Sequence, residues 1–198
     1  MRICLFGGTF DPIHNAHLRI ALEAKKKLKL DRVLFVPAAN PPHKDASGLA
    51  SYDDRFEMVK RACGKYPGFV ASTIEAGKER SYSIDTVEHL RATLGLQDEL
   101  FFLIGSDAFD EIETWKRWKQ LVRLVTFIVA ARPGREYHVP DSAQVIRLDS
   151  LALPVSSSEI RSRLAAGEPT PELPRRVLRY IEARGLYGFG KRKTIASL

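Results

Sequence analysis

The sequence predicts an α/β protein built on a doubly wound parallel sheet, and three patterns carry that expectation. Apolar runs of strand length, at residues 2–6, 32–36 and 99–104, alternate with runs of helical period. The first two are joined by an amphipathic stretch of about four turns, as in a right-handed crossover between parallel strands. The first strand also ends in Gly7-Gly8, a strand-to-helix loop at the edge where such sheets bind ligands.

After the first strand the chain reads Gly7-Gly8-Thr9-Phe10-Asp11-Pro12-Ile13-His14-Asn15-Ala16-His17. Two glycines let backbone approach a ligand closely, and Asp11-Pro12 fixes a turn. His14 and His17 fall one helical turn apart at a helix N-terminus, so both imidazoles can face one bound group. Free amides and the positive end of the helix dipole suit an anion there, above all a phosphate. Half of a metal site, or a plain surface loop, uses the same residue types. Leu18, Ala21, Leu22 and residues 25–28 then give a helix with an apolar stripe opposite lysines, and residues 32–36 form the second strand.

Residues 37–44, Pro-Ala-Ala-Asn-Pro-Pro-His-Lys, leave that strand as a proline-stiffened loop. Stiffness lowers the cost of ordering Asn40 and Lys44 around a ligand, although a solvent loop with an incidental lysine looks the same. Residues 51–65 predict a helix with Asp53 and Asp54 in its first turn and Phe56, Val59 and Cys63 on its core face. A third strand is expected over 69–74. Ser81-Tyr82-Ser83 opens the next helix, with Ser83 as N-cap and Ile84, Val87, Leu90 and Leu94 on one face.

The strand at 99–104 ends in Gly105-Ser106-Asp107, where Asp107 either pairs with ribose hydroxyls or caps the short helix that follows. Trp115-Lys116-Arg117-Trp118 then places two indoles around two cations, a stacking platform if a cationic ring binds beside it; Trp118 reads as packing. Strands at 125–130 and 145–148 complete the sheet, with Arg132 between them as a surface ion-pairing residue. Residues 155–161, Val-Ser-Ser-Ser-Glu-Ile-Arg, are a second anion-type element. Ser156 and Glu159 make a capping box for a helix that buries Ile160 and Leu164, or the hydroxyls and Arg161 cradle phosphates. A last helix from Pro174 carries Val177, Tyr180 and Ile181 on one face and stops at Gly185.

At 198 residues, 44% hydrophobic and 28% charged, the chain is sized and composed for one globular domain, with no repeat or linker. No apolar run has the length of a membrane span and Met1 leads directly into the first strand, so a cytoplasmic protein is expected. Cys4 and Cys63 sit far apart in apolar patterns and read as reduced core residues. The net charge of +7 favours acidic partners, either nucleic acid or polyphosphate substrates. Lys191-Arg192-Lys193 reads as a solvated end.

The string from 7 to 17, with the element at 155–161, resembles the nucleotidylyltransferases, which carry His-x-x-His or Thr-x-x-His at the start of the first helix. Within that superfamily it is most similar to the bacterial nicotinate-nucleotide adenylyltransferases. The resemblance implies a Rossmann-like fold of the nucleotidylyltransferase type. It is expected to span residues 1–198 as a single domain, with the C-terminal helical part, about 156–187, packed on the same core. It implies in-line transfer of the adenylyl group from ATP to nicotinate mononucleotide, giving nicotinate adenine dinucleotide and pyrophosphate in NAD biosynthesis. His14, His17 and Arg161 are the implied catalytic residues. Gly7, Gly8, Thr9, Phe10, Gly105, Asp107, Ser156 and Ser157 would bind ATP, and Asn40, Lys44, Ser83 and Trp115 the mononucleotide. Mg2+ is expected with the triphosphate and without a dedicated protein ligand.

Four positions depart from the family pattern: Ala16 replaces a usual glycine, Val155 an isoleucine, and Ser83 and Ser158 replace threonines while keeping the hydroxyl. Nicotinamide mononucleotide or another phosphorylated acceptor is the nearest alternative substrate, and a non-catalytic nucleotide- or RNA-binding module the alternative from another class. ATP and nicotinate mononucleotide are the expected partners, with no nucleic acid and no membrane, and a homo-oligomer is allowed.

Overall fold

The strand β1 (Arg2–Gly8) buries every residue from Ile3 to Phe6, each at most 8% exposed, which is why its apolar run is continuous rather than alternating. Such burial on both faces requires a central strand with helices above and below. A computed structural model of the protein, describing residues 1–40, 48–149 and 155–190, has that arrangement. β2 (Arg32–Pro37), β3 (Phe69–Ala71), β4 (Glu99–Gly105), β5 (Thr126–Ala131) and β6 (Gln144–Asp149) join β1 in one sheet. The order is β3-β2-β1-β4-β5-β6, and each neighbouring pair is parallel.

Alternate residues sort the core onto two faces. Cys4, Phe6, Val33, Phe35, Phe101 and Leu103 meet α1 (Asn15–Lys27), α2 (Tyr52–Cys63), α6 (Ser157–Ala166) and α7 (Arg175–Arg184). On the opposite face, Ile3, Leu5, Val36, Leu100, Phe102 and Ile104 meet α3 (Ser83–Thr93), α4 (Ser106–Asp110) and α5 (Trp118–Leu124). No described helix is long and apolar enough to cross a membrane. Cys4 and Cys63 are free and buried in the first of these faces, and burial pushes both thiols up to about 12. Neither is a thiolate at neutral pH.

Local chemistry sets the boundaries. Ser51 Oγ accepts the Asp54 amide at 3.1 Å to open α2, and α7 stops at Gly185, whose φ of 60° is left-handed. Three expectations need correction. The third strand stops at Ala71 instead of residue 74, because Ser72 Oγ takes the Ile74 amide and the Thr73 carbonyl takes that of Ala76, turning the chain. Ser83 is the first residue of α3 rather than its cap; extended Tyr82 holds the cap position with no side-chain cap bond. In α2 the face toward the sheet carries Arg55, Met58, Val59, Ala62 and Cys63, while Phe56 is half-buried.

Neighbours of β1 diverge: β2 lies on one side and β4 on the other, so the chain winds away from the β1–β4 pair in both directions. A crevice opens at the carboxyl ends of such a pair. Gly8 and Gly105 end β1 and β4 at that edge, and a Cβ on Gly105 would meet nothing within 4 Å.

Candidate active site

The loop from β1 to α1 owes its shape to Phe10, whose backbone is left-handed at φ 51°. That conformation costs a non-glycine residue about 1–2 kcal/mol. Burial offsets it: the ring is 2% exposed and packs at centroid distances of 5.5 Å on Phe6, 5.9 Å on Phe35 and 5.2 Å, edge-on, against His17. The Phe10 ring is therefore core, and a ligand contact from this residue falls to its amide. A Cβ on Gly8 would sit 3.0 Å from the ring, so a larger residue there would have to displace it by a few tenths of an ångström.

His14 is the N-cap of α1 in extended backbone, and its amide donates to His17 Nδ1 at 3.3 Å. The two imidazoles lie 3.8 Å apart between centroids at 35°, so the spacing of the two histidines does put them on one side. A neutral His17 that accepts at Nδ1 carries its proton on Nε2, which fixes the tautomer. His14 is 4% exposed and its Nδ1 has no hydrogen-bond partner among the described residues. Burial lowers its pKa to about 4, opposed only in part by the Glu172 carboxylate. At pH 7 it is thus a neutral hydrogen-bonding group and not a cation.

A sign follows for the pH dependence. The folded His14 pKa lies below its ordinary 6.5, so between pH 6.5 and 4 the unfolded chain binds more protons. The stability this residue contributes is complete above pH 6.5 and is lost as the pH falls toward 4. Imidazole NMR across that range should find His14 neutral down to about pH 5, and a bound polyphosphate should raise its titration by opposite-charge attraction. A His14 midpoint near 6.5 in the free protein would contradict the burial.

The second anion-type element is docked onto this loop. Ser157 Oγ donates to the Pro12 carbonyl at 3.0 Å, and Arg161 Nη1 to the Asp11 carbonyl at 2.8 Å, across 145 and 150 residues of sequence. Ser157 and Arg161 stand one turn apart on α6, on the side of the loop, while Ile160 and Leu164 go to the core. Ser156 Oγ caps α6 by accepting the Glu159 amide at 3.1 Å, as half of the expected box.

Three residues frame the site in ways not read from the sequence, although Asp11 was expected to fix a turn with Pro12. Arg55, 2% exposed, donates to the carbonyls of Ala50 (3.1 Å), Thr9 (2.9 Å), Ala38 (2.7 Å) and Ala39 (3.2 Å). One guanidinium so holds together the chain leaving β1, the chain leaving β2 and the entry to α2. Its signal was present: Arg55 is in phase with Val59 and Ala62 on the buried face. Asp11, 2% exposed, accepts from the Ala50 amide at 3.1 Å and from Tyr187 Oη at 2.6 Å. No local pattern foretells the Asp11–Tyr187 pair.

At the other end of the crevice, Asn40 is at the expected edge, but its side-chain amide donates to the carbonyls of Lys78 (3.5 Å) and Glu79 (3.1 Å). Lys44 lies outside the described residues. Trp115 packs on Phe102 at 6.2 Å. The next residue, Lys116, sits 4.2 Å over the Tyr82 ring and 3.2 Å from Asp85 Oδ2, and these two flank Ser83. Trp115 and the uncapped start of α3 are therefore neighbours. Asp107 does not cap α4, because Gly105 is the N-cap; the carboxylate is 93% exposed and 3.5 Å from Arg135. Gly7, exposed, is the next-to-last residue of β1, and Thr9, half-buried, opens the loop that carries the histidines. Arg132 is exposed, with its carbonyl accepting from Arg147 at 3.3 Å. Among the described residues, no group of three or more His, Cys, Asp or Glu converges to hold a metal ion.

Comparison with known proteins agrees with this geometry. The family model described as cytidylyltransferase-like matches residues 5–163. A relative from Solibacter usitatus, named "Probable nicotinate-nucleotide adenylyltransferase", is 52% identical over 187 residues, covering 94% of this chain and 100% of its own. One of the same name from Shouchella clausii is 45% identical over 193 residues, covering 94% and 97%. A solved structure of Plasmodium falciparum nicotinic acid mononucleotide adenylyltransferase, complexed with NaAD, superposes with a TM-score of 0.77 at 20% identity, covering 96% of this chain and 99% of that one. The match extends from the β1 loop through α6, the two parts that the fold brings together, and the chain belongs to the cytidylyltransferase-like family, among the nicotinate-nucleotide adenylyltransferases.

Proposed function

We propose that the protein transfers the adenylyl group of ATP to nicotinate mononucleotide. An oxygen of the mononucleotide phosphate attacks the α-phosphorus in line, the bond from that phosphorus to the β-phosphate bridging oxygen breaks, and pyrophosphate leaves. Such a reaction asks the protein mainly to hold two anions in line and to stabilise charge as it develops. The observation that carries this reading is the docking of Ser157 and Arg161 on the histidine loop at the β1–β4 crevice.

His17, through Nε2–H, and His14 would donate to the α-phosphate together with the amides of Thr9 and Phe10. Ser157 and Arg161 would hold the departing pyrophosphate, with Ser156 fixing the helix end that they stand on. Gly7, Gly8 and Gly105 leave room for the nucleotide, and Asp107 would meet its ribose. Mg2+ would come with the triphosphate as a counter-ion, since the described residues supply no resident site; no step is assigned to it. Lys44 is the residue proposed for the attacking phosphate.

For the acceptor, the first turn of α3 is a helix N-terminus without a side-chain cap, a place suited to a carboxylate. Ser83 adds a hydroxyl there, and the Trp115 indole beside it would face the cationic pyridine ring, a contact of up to about 2 kcal/mol when desolvated. Asn40 would act by bracing this end through Lys78 and Glu79. Trp115→Ala should raise KM for the mononucleotide about tenfold while kcat changes little, because a stacking contact made equally in ground and transition states is lost from binding.

The test is pyrophosphate release with ATP and Mg2+, run in parallel with nicotinate and nicotinamide mononucleotides. Strong preference for the carboxylate supports the whole reading. Equal rates keep the chemistry and discard the α3 and Trp115 pocket, and no release with either acceptor overturns the reading.

A further inference from the structure

The turn that follows α7 has no place in the chemistry above, yet it reaches the centre of the site. Leu186–Gly188 forms a single 3-10 turn in which Tyr187 is left-handed at φ 56°. Strained backbone at a non-glycine residue persists only where the surroundings impose it. Here they do: the Tyr187 side chain packs into the core and its hydroxyl donates to Asp11 Oδ1 at 2.6 Å, 176 residues away in sequence. Burial and the Asp11 carboxylate hold the phenol well above its ordinary pKa, so it remains a donor.

The Asp11 carboxylate is asymmetric. Oδ1 accepts from both Tyr187 and the Ala50 amide, whereas buried Oδ2 has no hydrogen bond among the described residues. Arg161 makes only a long ion pair with that oxygen. Its Nη1 is 3.6 Å from Oδ2, beyond hydrogen-bond range, and donates instead to the Asp11 carbonyl at 2.8 Å; Nη2 donates to Ser158 Oγ at 3.3 Å. A two-pronged Arg–carboxylate pair is the strong alternative for these groups, and it would draw the guanidinium down into the loop. Tyr187 and the Ala50 amide hold the carboxylate through Oδ1 in an orientation that leaves the pair with Arg161 long.

We propose that Tyr187 is a positioning residue: by holding the Asp11 carboxylate through Oδ1, it keeps the ion pair with Arg161 from closing and the guanidinium available to the phosphates of the nucleotide. The inference rests on the assignment of Arg161 to a phosphate-binding role, and it assigns to the C-terminal turn a part in nucleotide binding. Tyr187 touches no substrate. Its effect passes through Asp11 to Arg161, and so falls on the polyphosphate and spares the mononucleotide.

Titration calorimetry with inorganic pyrophosphate and steady-state kinetics on wild type, Tyr187→Phe and Tyr187→Phe/Asp11→Asn test this. In Tyr187→Phe, pyrophosphate affinity should fall and KM for ATP rise about tenfold, the size of one weakened charge-assisted hydrogen bond, with KM for the mononucleotide within twofold of wild type. Removing the Asp11 charge removes the competitor for Arg161, so the double variant should recover most of the lost affinity. Unchanged pyrophosphate affinity in Tyr187→Phe, an equal loss for both substrates, failure of Asp11→Asn to rescue in a protein that still melts cooperatively, or no pyrophosphate binding by wild type would each overturn the proposal. Pyrophosphate binding that follows this pattern in a protein that transfers no adenylyl group would instead uphold it and remove the proposed activity.

Discussion

Replacing His17 by alanine is expected to lower kcat by about a hundred- to a thousandfold, the usual loss for one preorganised donor to a developing oxyanion. Its preorganisation is visible in three contacts. The His14 amide fixes Nδ1 as the acceptor, the His14 ring lies against one side at 3.8 Å, and the Phe10 ring meets it edge-on. These contacts hold the imidazole in one orientation. Pyrophosphate release under saturating ATP and mononucleotide measures the effect, with a melting curve to show that the variant is folded. Turnover within fivefold of wild type would remove His17 from the chemistry, and if Trp115→Ala were harmless too, the site would have to be sought elsewhere.

Arg55→Ala should be the most damaging single change to stability. Truncation strands four carbonyls that the guanidinium now serves and removes one of the two positive charges beside the buried Asp11, leaving Arg161. Each orphaned acceptor costs about 1–3 kcal/mol when it stays dry. Water entering the vacated space recovers part of this, so a net loss of about 3–5 kcal/mol is expected, as for other broken buried charge networks. For a chain of this length that corresponds to a fall in Tm of roughly 6–20 °C. Thermal denaturation followed by far-UV circular dichroism checks it, and a shift under about 2 °C would mean that the four contacts are individually replaceable.

How much of this could be read in the sequence differs between fold and site, for a physical reason. Parallel strands buried on both faces must be continuously apolar, so β1, β2, β4 and β5 announce themselves locally. The histidine loop and the start of α6 are likewise local, since glycines, a proline turn and a serine cap act within a few residues. By contrast, β3 ended early because Ser72 and Thr73 redirected nearby amides, a competition between turn and strand that residue propensities do not decide. The start of α3 was misplaced by one residue because Ser83 has the chemistry of a cap while Tyr82 has the backbone. Arg55 is in phase with the buried face of α2, but its role, and the pairing of Asp11 with Tyr187, are recognisable only through partners that lie up to 176 residues away.

The strand order also governs when the site can exist during synthesis. β1 is made first, but its second neighbour is β4, with Arg2 in register with Glu99, so the middle of the sheet cannot close until about half of the chain has left the ribosome. Arg161 and Tyr187 arrive later still. Long-range parallel pairing of this kind has high contact order and folds slowly. A nascent or truncated chain ending before residue 187 can own the histidines, the nucleotide crevice and most of the hydrophobic core, yet lack the last contact on Asp11. On the proposal for Tyr187, the site is complete only once residue 187 has docked on the loop made at the start of the first helix.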